Sequence, residues 1–126
     1  MTYVEFLERR RHARVEYRTE VSYADLESAV ERQNNAQKRN YICGKSVDIS
    51  LSGLKILTPE PLKEGTVLEI IFILHEQLAI IDTIGVVVWS SIDESGSCAS
   101  AGLRFLSLTD RAKDAILKLT AKAEKF

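Results

Sequence analysis

The feature of this sequence that most constrains its fold is a series of short apolar runs, separated by polar clusters. Between residues 15 and 23 the odd positions are valine, tyrosine or threonine and the even positions are charged or polar. This period of two is typical of a half-buried strand. Two longer apolar runs, Val67–Leu74 and residues 78–89, flank the polar tripeptide His75–Gln77. We interpret them as the two strands of a hairpin.

Three further short segments complete the strand pattern. Residues 41–48 and 53–57 are strand-like and meet at a turn-forming cluster around residues 50–53. Residues 99–106 form the last strand-like segment. The total is about six strands joined mostly by short connections. We therefore predict a mainly β fold, in which six antiparallel strands close on themselves as a β-barrel.

The C-terminal segment changes period and predicts one amphipathic α-helix over residues 109–125. Its apolar positions fall on one helical face: Ala112, Ala115, Ile116, Leu119 and Ala123. Acidic residues lie early and lysines late, which suits the helix dipole, and Thr109 is a suitable N-cap. We expect this helix outside the barrel or across one mouth. Residues 25–40 fit either a short helix or a long exposed hairpin loop.

The length of 126 residues and a hydrophobic content of 45% indicate a single compact domain rather than a two-domain enzyme. The domain is predicted to span residues 1–126, with residues 1–14 as a flexible arm. The N-terminus lacks the basic and apolar parts of a secretory signal, and the longest apolar run is too short to cross a bilayer. We expect a cytoplasmic protein without a membrane span.

Catalytic and metal sites find little support in the residues. The chain has only His12 and His75, and the spacing of Cys43 and Cys98 fits neither a metal-binding pattern nor a disulfide framework. Nucleophile-elbow, zincin and phosphate-loop motifs are all missing. We therefore expect a protein that is not an enzyme, with no metal and no cofactor other than a possible bound ligand.

The net charge of −1 hides an uneven distribution. Residues 9–18 contain five arginines against Glu16, whereas residues 60–103 contain seven acidic residues against Lys63. A protein of this layout is not expected to bind duplex nucleic acid. A barrel that binds single strands would carry aromatic residues among basic ones, and these strands carry acids. The N-terminal end is nevertheless suited to a local anionic ligand.

Two short motifs carry the functional information. Arg10 and Arg14 form R-x-x-x-R, and the six residues from Asp48 to Gly53 form D-x-S-x-x-G. Alone, each motif is weak, because Arg14 and Arg18 repeat the arginine spacing and the second motif also suits an ordinary turn. Arg10 and Arg14 are preferred because Arg14 directly precedes the first strand. Arg11 and Arg18 are interpreted as solvated charges.

In this order, and followed by six strands, the motifs resemble the signature of the PilZ domain family, receptors for the bacterial second messenger cyclic di-GMP. The resemblance extends to residues 85–89, to residues 101–106 and to the helix. Residues 25–40 look expanded relative to the family. The resemblance implies a PilZ-type barrel that changes conformation or partner affinity when cyclic di-GMP binds. The alternative is a degenerate PilZ-like adaptor that binds only a downstream protein; the partner and its pathway are not indicated.

The resemblance implies that cyclic di-GMP binds six residues of this chain, five in the motifs and one directly before them: Arg9, Arg10, Arg14, Asp48, Ser50 and Gly53. The chemistry agrees, since guanidinium groups grip phosphates or the O6 and N7 atoms of guanine bidentately. The carboxylate of Asp48 can accept the N1 and N2 protons of guanine, and the hydroxyl of Ser50 can serve a phosphate or a base edge. Gly53 permits a turn and a close backbone approach.

Three finer expectations follow. Family members with a long polar residue before R-x-x-x-R accept two stacked ligands, so Arg9 implies two cyclic di-GMP molecules per chain. The arm, with its repelling arginines, is expected to become ordered over the barrel when ligand binds. Trp89 is expected to pack under the C-terminal helix rather than to stack on guanine.

Overall fold

The computed structural model describes residues 13–26 and 41–123. Within these ranges the chain forms seven strands, a 3₁₀ turn at His75–Gln77 and a C-terminal α-helix. The strands are β1 Val15–Glu16, β2 Glu20–Asp25, β3 Ile42–Ile49, β4 Gly53–Thr58, β5 Val67–Leu74, β6 Ala79–Ile92 and β7 Ala99–Ser107, and the helix is α1 Asp110–Ala123. Most of the predicted arm and nearly all of residues 25–40 lie outside the described residues.

The strands close into a barrel, as the sequence predicts. Around the sheet the order is β3, β2, β5, β6, β7 and β4, and β4 pairs again with β3. Every neighbouring pair is antiparallel. The short β1 continues the edge that β2 offers to β3, with Val15 opposite Ile49 and Glu16 opposite Asp48. The barrel is therefore six-stranded, and β1 extends it beyond one mouth.

Alternating side chains of the strands fill the barrel. Val21, Ile56 and Ile70 are fully buried, and the apolar face of α1 joins the same core through Ile116 and its neighbours. Burying one such side chain stabilises the fold by about 1.5–3 kcal/mol. The amide of Ala112 donates to the hydroxyl of Thr109 at 3.1 Å, which confirms the predicted N-cap. The helix thus closes the mouth at which β7 ends.

The first predicted strand is interrupted, which corrects the expectation of one strand over residues 15–23. Between β1 and β2, the hydroxyl of Ser46 accepts the Thr19 amide at 2.9 Å and donates to the Tyr17 carbonyl at 2.5 Å. The side chain of Ser46 thus takes backbone bonds that a regular ladder would make. The register of β3 against β4 shifts at the same point, between Ser46 and Asp48. This irregularity lies directly beside the pairing of β1 with β3.

Among residues 13–26 and 41–123, no helix has the length and apolar character that crossing a bilayer requires.

Replacing Ser46 with alanine is expected to destabilise the fold by about 1–2 kcal/mol, because a partly buried amide and a partly buried carbonyl would each lose a partner. Urea unfolding followed by circular dichroism measures the change. The matched control is Ser91→Ala, since Ser91 is exposed and, within residues 13–26 and 41–123, its hydroxyl bonds to that of Ser100 alone. The control should stay within about 0.5 kcal/mol of the parent. Equal stability of all three proteins would show that Ser46 does not hold the interruption.

Candidate functional site

The D-x-S-x-x-G motif forms the tight turn between β3 and β4. The amide of Ser50 donates to the Gly53 carbonyl at 2.9 Å, and the hydroxyls of Ser50 and Ser52 lie 2.8 Å apart. The Ser52 carbonyl accepts the amide of Phe105 at 2.8 Å, which ties the turn to β7. Ser50 is 0% exposed. Its hydroxyl therefore holds the turn together in this structure and does not face solvent.

Gly53 is needed because two strands approach closely. A Cβ atom at this position would lie 1.8 Å from the carbonyl oxygen of Leu103 on β7. The positive φ angles of described glycines belong to Gly65 and Gly96, so Gly53 does not require a left-handed conformation. The expected close approach is present, but β7 makes it. Glycine is therefore required at position 53 for the close packing of β4 on β7, and this packing fixes the turn that follows Asp48.

The structure brings Arg14 and Asp48 together. Their side chains form an ion pair, with Nη1 of Arg14 2.5 Å from Oδ1 of Asp48. The pairing of β1 with β3 explains this contact. Glu16 lies opposite Asp48, and Arg14 is two residues before Glu16 on the same chain segment. Both members reach solvent, at 48% exposure for Arg14 and 23% for Asp48. Such a pair contributes only about 0–1 kcal/mol, so a ligand can exchange for it at little cost.

Of the six predicted site residues, four lie within the described residues. Arg14 and Asp48 are in contact on the outer surface, and Ser50 and Gly53 shape the turn beside them. Arg9 and Arg10 lie outside the described residues, so their position stays a prediction.

Asp48 belongs to a row of residues that runs around the barrel from strand to strand, with one residue on each of four neighbouring strands. It lies opposite Lys55 on β4, Lys55 lies opposite Gly102 on β7, and Gly102 lies opposite Trp89 on β6. Neighbouring strands are about 4.8 Å apart, so the row spans roughly 14 Å from carboxylate strand to indole strand. We call these four residues, with Arg14, the wall site.

The far end of the wall site is an indole lying on a glycine. A Cβ atom on Gly102 would meet Nε1 of Trp89 at 2.0 Å, so the absence of a side chain lets the ring cover β7. Nζ of Lys55 lies 5.9 Å from the ring centroid, within range of a cation–π interaction. Trp89 is 38% exposed. One ring face therefore remains accessible at the surface.

Trp89 does not pack under the helix, which corrects the sequence-based expectation. The helix meets the start of β6, around residues 79–82, and Trp89 lies about 25 Å further along that strand by its residue count. The sequence did contain the two residues involved, the single tryptophan Trp89 and Gly102 thirteen positions later. Only the register of β6 against β7 shows that they meet.

The wall site combines a guanidinium, a carboxylate, an ammonium and an accessible aromatic face. The cations suit phosphate oxygens, the carboxylate suits paired N–H donors, and the indole suits a planar ring. The described residues contain no cluster of three or more metal-ligating side chains. The arrangement is suited to binding an anionic ligand that carries planar, hydrogen-bonding groups.

Comparison with known proteins gives one family match and several similar folds. The family model described as the PilZ domain matches residues 8–122. A comparison with curated protein sequences found no significant match. Among solved structures, the Bacillus subtilis inhibitor of motility MotI is similar at a TM-score of 0.72 and 19% identity, over 90% of this chain. The chain spans 50% of the length of MotI.

A second similar structure is the PilZ domain of YcgR from Escherichia coli, which was solved with c-di-GMP. It has a TM-score of 0.62 and 16% identity, over 94% of this chain and 99% of that domain. A third is a tetrameric PilZ domain protein from Xanthomonas campestris, with a TM-score of 0.62 and 14% identity, over 90% of this chain and 89% of the other. The likeness concerns the fold.

Replacing Gly102 with alanine is expected to push the indole off β7, because the new methyl would overlap Nε1. Trp89 is the only tryptophan, so its fluorescence reports on this site alone. We expect emission to move to longer wavelength as the ring enters water, with the barrel still folded by circular dichroism. Ser91→Ala is the control and should leave the spectrum unchanged. An unchanged spectrum in the glycine variant would contradict this placement of the ring.

Proposed function

The chain belongs to the PilZ domain family, and from this premise we propose that it is a receptor for cyclic di-GMP that binds on the wall site. The observation that carries the proposal is the contact between Arg14 and Asp48, since two motifs far apart in the sequence meet at one exposed point. The similar PilZ domain of YcgR, solved with c-di-GMP, supports the choice of ligand. The proposed activity is reversible binding rather than catalysis.

Each side chain of the wall site has a role in this proposal. Arg14 binds a phosphate, or the O6 and N7 atoms of a guanine, through two parallel N–H bonds. Asp48 accepts the N1 and N2 protons of a guanine. Trp89 stacks on a guanine ring, and Lys55 beside it faces phosphate oxygens. Because the indole lies over Gly102 of β7, only β4 separates the strand that the ring covers from the strand of Asp48, so one ligand can reach both side chains.

Ligand binding at Arg14 exchanges one charge partner for another. In the described structure, the ion pair neutralises both Arg14 and Asp48. A phosphate can replace the carboxylate on Arg14, while guanine N–H groups replace the guanidinium on Asp48, so neither charge is left uncompensated. Because the existing pair is exposed and weak, the exchange has a small cost. Arg9 and Arg10 are proposed to supply further cationic contacts to the phosphates.

The proposed role of Ser50 is to position the site. Its hydroxyl is fully buried and bonded within the turn, so a direct bond to ligand would require the turn to open. By holding the turn, Ser50 holds the preceding Asp48 in place. Gly53 acts in the same way through its contact with β7.

A route for output starts at the segment between β1 and β2. The hydroxyl of Tyr17 accepts the amide of His75 at 2.8 Å, and the hydroxyl of Thr19 lies 3.2 Å from Nε2 of His75. These bonds join the chain that follows Arg14 to the hairpin between β5 and β6. A ligand that moves Arg14 therefore acts on the hairpin through Tyr17 and Thr19. We propose that this linkage changes the affinity of the barrel for a downstream protein.

Replacing Arg14 with alanine is expected to weaken cyclic di-GMP binding about 5- to 150-fold, through loss of a charge-assisted bidentate contact of about 1–3 kcal/mol. Isothermal titration calorimetry measures the affinity. Arg14→Lys should also bind weakly, because an ammonium does not reproduce the planar fork. Arg18→Ala is the matched control, since among the described residues Arg18 pairs with exposed Glu16 alone. A folded Arg14→Ala protein that titrates like the parent would refute the site.

The stoichiometry gives a separate prediction. We expect two cyclic di-GMP molecules per chain, with Arg9 contacting the second, and an Arg9→Leu variant that saturates at one equivalent. The same titration reports the number of sites. Saturation of the parent at one equivalent would contradict the stacked pair without affecting the role of Arg14. A parent that binds no cyclic di-GMP would instead favour a PilZ-like adaptor for protein alone.

A further inference from the structure

The start of β6 has a strand edge that no described strand covers. On one side, the ladder with β5 extends to Ala79, which lies opposite Leu74. On the other side, within the described residues, the ladder with β7 begins only at Ile84, opposite Ser107. Residues 79–83 are therefore paired on one edge. In an antiparallel strand, alternate residues direct N–H and C=O groups to each edge, so this edge presents backbone donors and acceptors.

A groove of about 560 Å³ runs along this edge, between β6 and the helix α1. Consecutive residues 77–82 form one wall. Neighbouring residues of a strand point to opposite faces, so a wall of consecutive residues is the edge of the strand rather than a face. The other wall includes residues spaced by three, four and seven along α1: Arg111, Asp114, Ala115 and Lys118. The groove therefore lies between an open strand edge and one face of the helix.

The mouth of the groove carries apolar side chains that the fold itself does not use. Leu78 is 91% exposed and adopts a left-handed conformation, with φ 49° and ψ 40°. A leucine there costs about 1–2 kcal/mol, and glycine or asparagine would suit the turn better. Ile80, in the same wall, is 73% exposed. Two large apolar side chains are therefore exposed to water side by side at the mouth of the groove.

The charged residues of the groove determine where it would favour an acidic group of a ligand. Lys118 pairs with Asp114 at 3.0 Å within the helix wall. Arg111 forms no ion pair with any described residue and lines the same wall. Asp82 lines the opposite wall. An acidic group in the groove is therefore favoured near the helix and disfavoured near β6.

We propose that this groove binds an extended peptide segment of a partner protein, which adds as a strand to residues 79–83 of β6. Main-chain hydrogen bonds to the open edge would supply affinity, as in other cases of strand addition beside a helix. The peptide carries apolar side chains against Leu78 and Ile80, and an acidic side chain directed at Arg111. Five strand residues span about 16 Å, enough for a segment of that length. The inference does not depend on the ligand of the wall site.

The test is a selection of random twelve-residue peptides displayed on phage, with the full folded chain as the target. Enriched peptides are expected to alternate apolar and polar residues and to contain an acidic residue. Synthetic copies should shift amide resonances of residues 77–83 and 111–118 in nuclear magnetic resonance spectra. Methylating the peptide's backbone nitrogens one at a time should abolish binding at alternate positions only, because alternate amides face β6.

Variants of the chain separate this groove from other surfaces. Leu78→Asn keeps a residue that tolerates the left-handed turn, and Arg111→Glu reverses the charge of the helix wall, so each should weaken the synthetic peptides roughly tenfold or more. Lys113→Glu is the matched control, because Lys113 is an exposed helix residue outside the groove. It should change the affinity less than about twofold.

Several results would overturn the proposal. These are the absence of enriched peptides, binding that survives both Leu78→Asn and Arg111→Glu, or tolerance of methylation at every backbone nitrogen. Hydrogen exchange on the full chain tests the other occupants. Protection of residues 79–83 that grows with protein concentration would assign the edge to a second copy. Protection at all concentrations that Phe6→Asp removes would assign it to the chain's own N-terminal residues.

Discussion

Closure of the sheet through β4 is the constraint on which the rest of the structure depends. β4 pairs with β3 on one edge and with β7 on the other, and it is the only described strand that joins the two. The close approach at Gly53 makes this double pairing possible. Asp48, Lys55, Gly102 and Trp89 form one row only because β4 stands between β3 and β7. In an open sheet with the same strand order, β3 with Asp48 and β4 with Lys55 would lie near opposite edges.

The wall site is held by rigid elements and closed by weak contacts. Strand pairing places Asp48, Lys55 and Trp89, and the buried turn around Ser50 fixes the end of β3. By contrast, the ion pair of Arg14 and the cation–π contact of Lys55 lie at the surface. Preorganised positions with exchangeable partners suit reversible binding, because the ligand pays for little rearrangement of the barrel.

The wall site and the groove beside α1, the two proposed binding sites of this barrel, are connected through one hairpin. The segment that follows Arg14 is bonded to His75, and the residues directly after His75 form the wall beside α1. A change at the wall site thus has a short covalent and hydrogen-bonded path to the open edge of β6. In energetic terms, coupling between the two sites requires only that ligand binding shifts this hairpin between two arrangements.

Much of the fold was predictable from local pattern. Periods of two marked the strands, and Val67–Leu74 has the predicted bounds because its hairpin partner and polar connector are adjacent in the chain. The helix and its Thr109 cap followed from a period of 3.6 and from capping chemistry. The interruption between β1 and β2 was not predictable, since it depends on the hydroxyl of Ser46, from a different strand.

For the candidate site as well, the chemistry of the residues was predictable from the sequence and their placement was not. The amino-acid sequence is enough to propose Arg14 and Asp48 as binding residues, because a guanidinium and a carboxylate keep their hydrogen-bonding character in any fold. Only the tertiary structure decided that Ser50 is buried, that Gly53 serves strand packing, and that Trp89 lies on Gly102. The physical reason is register: which side chains meet across a barrel is set by the pairing of strands distant in sequence, and a shift of one residue moves every side chain to the other face.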